Sequence, residues 1–97
     1  MHDRYVEFRN ATESALLRGA GVTSPLLRQA VAAGQAPAPL VTLVEKIRSR
    51  AWSVTDLDID ALRDLYTEEQ LFEIIVAAAF GAADERLKAA LRALEDA

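Results

Sequence analysis

Leu71 to Ala83 reads LFEIIVAAAFGAA, with Glu73 as its single charge. A helix that is apolar all round has to be covered on more than one side. At 13 residues the run is shorter than the about 20 that a bilayer-spanning helix needs. The rest of the chain therefore has to serve as its covering. Thr67-Glu68-Glu69-Gln70 is a capping box that opens this helix. The helix is expected to run to about Leu94, with Leu87, Ala90, Leu91 and Leu94 on one side of its amphipathic second half.

No segment alternates apolar and polar residues as a half-buried strand would. A first helix is expected from about Asp3 to Arg18, with Tyr5, Phe8, Thr12, Ala15 and Leu16 as its stripe. Gly19 and Gly21 punctuate the chain, and Ser24-Pro25 starts helix two, which ends at Gly34. Helix three follows from about Pro39 to Ala51, burying Leu40, Leu43, Val44, Ile47 and Ala51. Thr55 caps helix four, with Leu57, Ala61, Leu62 and Leu65 expected inward. The reading is an all-α, single-domain bundle of about five or six helices over residues 1–97.

Composition removes whole classes of chemistry. The chain has no cysteine and one histidine, His2. Thiol redox chemistry, thiolate metal sites and disulfides are excluded, and so is a multi-histidine site within one chain. A serine triad has no histidine base in a sensible position. No metal and no cofactor are expected. The formal net charge is −4, which disfavours a phosphate-binding, nucleic-acid partner. The charge is uneven: residues 1–50 carry seven basic and four acidic side chains, residues 51–97 four basic and eleven acidic. Residues 2–9 are too charged for the apolar core of a secretory leader. The expectation is a cytoplasmic protein with no membrane partner.

Several local patterns resemble known sites and fail on inspection. Asp56-x-Asp58-x-Asp60 starts like a calcium loop, but Ala61 stands where that loop needs glycine and Thr67 where it needs glutamate. Gly19-Ala20-Gly21 has neither the preceding strand nor the third glycine of a dinucleotide fingerprint. Two positions are less easily dismissed. Glu73 in apolar surroundings would have a raised pKa, unless it reaches solvent or an arginine near the helix start. Glu45 and Arg48 lie three apart on helix three with Trp52 one turn further, either as a small polar pocket with an aromatic wall or as an exposed ion pair beside a packed ring.

Helix four, Tyr66-Thr67-Glu68-Glu69-Gln70-Leu71-Phe72-Glu73, the alanine-rich stretch and Arg86-Leu87 together resemble the carboxymuconolactone decarboxylase / alkylhydroperoxidase D-like superfamily over residues 39–95. The resemblance implies an all-α domain of about six helices that assembles into oligomers. In the peroxidase branch a Cys-x-x-Cys pair and a later histidine carry the chemistry. Those positions fall here on Ala51, Val54 and Asp58. Alanine and valine form neither a sulfenate nor a disulfide.

The expected function is therefore a non-peroxidatic, oligomerising helical domain, serving as an accessory or small-ligand-binding module. The alternative is a cysteine-free acid–base enzyme, decarboxylase- or lyase-like. The candidate pocket is Glu45, Arg48, Trp52, Asp58 and Glu73. The candidate interface of a homo-oligomer is Phe72, Val76 and Phe80, on the face opposite Leu71, Ile74, Ile75, Ala78 and Ala82. Ala77 and Gly81 are expected to let another helix approach closely.

Overall fold

The computed structural model describes residues 2–96, and the described residues contain helices and no strand. The order is α1 (His2–Glu13) running directly into a π-helical turn (Ser14–Arg18), then α2 (Pro25–Ala32), α3 (Val41–Arg50), the short α4 (Asp56–Asp60) and α5 (Glu68–Asp96). Turns of 3₁₀ helix, Ala38–Leu40 and Ala51–Ser53, bracket α3.

Local chemistry explains most of the boundaries. The Ser24 hydroxyl accepts from the Leu27 amide at 3.1 Å, with Pro25 in the first helical position. At the other end of α2, Gly34 takes φ +80°, the Gly34 amide donates to Val31 O and the Gln35 amide to Ala30 O. This is a Schellman ending, and it needs glycine at that φ. Thr55 and Asp58 form a reciprocal capping box on α4. At α5 the Gln70 amide donates to the Thr67 hydroxyl at 3.1 Å, and the Gln70 side chain accepts from the Thr67 amide at 2.9 Å.

The core lies where α2 and α3 cross the first half of α5. Val31, Leu40, Leu43, Val44 and Ile74 are its most buried large side chains. Gly81 supplies the closest approach: a Cβ built there would lie 2.0 Å from the Ala32 carbonyl oxygen. Another helix is expected to approach Ala77 and Gly81 closely; at Gly81 that helix is α2 of the same chain. On α5 the covered face is Leu71, Ile74, Ala77, Ala78, Gly81 and Ala82, with Ile75 only partly buried.

Three expected inward sets are corrected. On helix one, Phe8 is 76% exposed and Leu17 is the residue that reaches the core. The π turn admits one extra residue per hydrogen-bonded ring, so the stripe counted at α spacing is rotated out of phase beyond Glu13. On helix four, Leu62 is buried while Leu57, Ala61 and Leu65 are exposed. The helix ends at Asp60, and turns carry the chain on to Thr67. Ala51 is exposed because it opens a 3₁₀ turn rather than closing α3.

The molecule measures 47 × 29 × 18 Å with a radius of gyration of 14.6 Å, against about 13 Å for a compact domain of 100 residues. The excess length comes from the second half of α5 and from α1, which lies antiparallel beside it. Arg9 clasps Asp84 with two hydrogen bonds, at 2.7 and 2.8 Å, and these tie the two helices together.

Candidate functional site

The loop between the π turn and α2 is held by two opposite charges. Arg28 is 3% exposed and donates to Leu16 O at 2.9 Å, Gly19 O at 2.5 Å and Thr23 O at 3.4 Å, while Gln29 donates to Leu17 O at 3.3 Å. A cation is thereby placed on the open carbonyls at a helix C-terminus, where both hydrogen bonding and the helix dipole favour it. From the other side Glu73 accepts from the Val22 amide at 2.8 Å, the Thr23 amide at 2.9 Å and the Thr23 hydroxyl at 2.5 Å. Arg28 Nε stands 3.9 Å from the same carboxylate.

These bonds correct the expectation of a raised Glu73 pKa. The hydrogen bond from the Thr23 hydroxyl, then those from the Val22 and Thr23 amides, and the charge of Arg28 lower it to about 2, against a smaller opposing effect of desolvation. Glu73 is thus a fixed carboxylate. The expectation that it reaches an arginine near the helix start fits the contact with Arg28. Arg28 itself escaped the sequence reading; the available signal was an arginine at the position of α2 that shares a face with Val31.

The other candidate residues lie in separate places. Arg48 donates to the Ala32 carbonyl at the end of α2 and to Glu85 Oε2 on α5, both at 2.5 Å. It therefore joins three helices and makes no ion pair with Glu45. Arg86 in turn donates to the Arg48 carbonyl. Glu45 is exposed, and with Arg48, Gly34, Gln35, Val41 and Ser49 it lines an open cleft of about 370 Å³. Trp52 is 82% exposed and is no wall of that cleft. Asp58 receives Lys46 Nζ at 2.8 and 3.0 Å and the Thr55 amide at 2.9 Å. The Lys46 hydrogen bonds, then the Thr55 amide, lower its pKa. Asp58 and Glu73 are thus committed to separate structural contacts, and the five residues form no common pocket. Among the described residues no three histidine, cysteine, aspartate or glutamate side chains gather as a metal site. None of the described helices is long and apolar enough to cross a membrane.

Among the described residues, α5 also carries an exposed apolar face. Phe72 is 67% exposed on α5, Val76 is half-buried, and Phe80 is half-buried against the edge of the core. Two open hollows adjoin this face. Ala15 and Leu16 of the π turn, with Arg28 and Glu73, line one beside Phe72 and Val76, and Tyr5, Phe8 and Thr12 of α1 line the other beside Phe80, Ala83 and Leu87. Of the expected stripe on helix one, Leu16 packs partly buried against the core, while Tyr5, Phe8, Thr12 and Ala15 border these hollows. Against protein-family models, curated proteins and solved structures, the chain gives no match.

Proposed function

We propose that this chain is a non-peroxidatic, self-associating helical domain of the carboxymuconolactone decarboxylase / alkylhydroperoxidase D-like superfamily, acting as an accessory module in the cytoplasm. The observation that carries the proposal is the apolar face of α5 around the exposed Phe72 and the half-buried Val76, beside the open hollow that Ala15 and Leu16 of the π turn border. Contiguous apolar surface of this kind on a small chain marks a contact site. Support for the family comes from the Thr67–Gln70 capping box at the head of the small-residue helix, and the absence of cysteine supports the non-peroxidatic assignment.

The cysteine-free acid–base enzyme has weaker support. Its two most suggestive carboxylates, Asp58 and Glu73, are held ionised by separate hydrogen-bonded partners. Such groups are poor general acids near neutral pH.

Sedimentation equilibrium at micromolar concentration tests the proposal. The wild type is expected above the single-chain mass of 10.6 kDa, and Phe72→Glu is expected as a folded chain of lower association. A wild type that sediments at the single-chain mass overturns the reading.

A further inference from the structure

The exposed face of α5 has an internal symmetry. Phe72, Val76, Ala79, Ala83, Leu87, Ala90 and Leu94 succeed one another at spacings of four, three and four, repeated once. At about 100° per residue these positions form one stripe along the helix, opposite the face that Ile74, Ala78 and Gly81 bury against α2 and α3. Phe72, Leu87 and Leu94 on it are exposed large apolar residues, and Ala79, Ala83 and Ala90 are exposed as well. The spacing pattern reads the same in both directions from Ala83.

We infer that the occupant of this stripe is a second copy of the same chain, with the two α5 helices antiparallel and a two-fold axis passing beside Ala83. The inference rests on the self-association proposed above and adds the partner's register. Side-chain volume selects the direction. In the antiparallel pairing Val76 meets Ala90 of the second copy, Ala79 meets Leu87, and Phe72 meets Leu94, so that two of the three pairs set a large side chain against a small one. In a parallel pairing each residue meets itself. Leu87 then abuts Leu87 while Ala79, Ala83 and Ala90 leave gaps, at the cost of both overpacking and voids. The antiparallel direction also opposes the two helix dipoles.

The area is sufficient. Phe72 to Leu94 spans roughly 33 Å at 1.5 Å per residue, and α5 with its neighbour α1 makes a face roughly 18 Å wide, so about 600 Å² per copy and about 1,200 Å² in total are covered. That reaches the lower end of the range for specific, stable association. Phe8 lines the same hollow as Ala83, so it is placed beside the inferred axis, where it would fill the space that the central alanine leaves. Two helices from each copy then form a four-helix layer.

A chain without cysteine makes disulfide trapping unambiguous. Ala83→Cys is expected to form a cross-linked dimer under mild oxidation, because the two substituted positions face each other across the axis. Ala79→Cys and Leu87→Cys are each expected to stay uncross-linked alone and to cross-link when mixed. In this register two copies of residue 79 lie about 12 Å apart along the helices, beyond disulfide reach. Circular dichroism checks that each variant remains helical. If Ala79→Cys cross-links with itself as well as Ala83→Cys does, the pairing is parallel and the inference falls. If the wild type associates but neither Ala83→Cys nor the 79/87 mixture cross-links, the register falls while self-association stands. If the wild type is monomeric, self-association falls first and the register with it.

Discussion

Gly81 and Ala32 bring α5 and α2 into backbone contact: a Cβ at position 81 would sit 2.0 Å from the Ala32 carbonyl oxygen and 2.6 Å from its carbon. The obstruction is backbone, which cannot rotate away as a side chain can. Gly81→Ala is therefore expected to destabilise the fold by about 1–3 kcal/mol, despite the better helix propensity of alanine. Urea denaturation checks it. A neutral or stabilising result would mean that the helices part more easily than this packing implies.

The bonds around Glu73 predict an acid response. Its folded pKa is about 2 against an ordinary 4.5, so the carboxylate is stabilised in the folded chain. That contribution is fully present above pH about 4.5 and is lost as pH falls towards 2. Asp84, also lowered to about 2, chiefly by its hydrogen bond from Arg9, acts in the same direction. Stability followed by circular dichroism is expected to fall across this window. Thr23→Val removes the largest single cause and is expected to raise the Glu73 pKa, read by carboxylate NMR shifts.

Trp52 is expected to matter little for stability. With the ring 82% exposed, Trp52→Ala should change stability by no more than about 0.5 kcal/mol, where a buried ring would have cost about 3–5. Its fluorescence in the native state should already resemble that of tryptophan in water, and unfolding should shift the emission maximum very little.

Arg9 and Asp84 hold α1 against α5 with two charge-assisted hydrogen bonds. Removing this pair as Arg9→Met is expected to loosen α1 by about 1.5–3 kcal/mol. Amide hydrogen exchange should quicken over residues 4–13 by at least roughly tenfold, the factor that 1.4 kcal/mol gives for a local opening, while α2 and α3 keep their protection.

What was legible in the chain was local. Ser24-Pro25, Gly34, Thr55 and the Thr67–Gln70 box each carry a boundary through the hydrogen bond or dihedral that their own chemistry demands. The α3 face of Leu40, Leu43, Val44 and Ile47 followed from periodicity and is buried. What periodicity does not specify is which neighbour a face will meet. Gly81 is a place of close helix approach, as its size implies, and α2 of the same chain fills it. Leu17 reaches the core through a π turn that α spacing does not anticipate, whereas Phe8, in the α-helical turns before it, lies beside Ala83 and Leu87, away from the core. The candidate pocket grouped residues near one another in sequence or resemblance. Long basic side chains instead make the contacts, Arg48 to Glu85 and Lys46 to Asp58.

The two clasps on the 19–23 loop also set how the molecule bends. Arg28 pins the end of the π turn to α2, and Glu73 pins the entrance of α2 to α5. Three helices are thus fixed at one vertex, while towards the opposite end Arg9 and Asp84 tie α1 to α5. In a single copy the pair of helices is therefore a cantilever, anchored at its root and held by Arg9 and Asp84 towards its tip, until a second copy covers it. A small rotation at the root is magnified along an arm of roughly 30 Å, so thermal motion should concentrate at the tip.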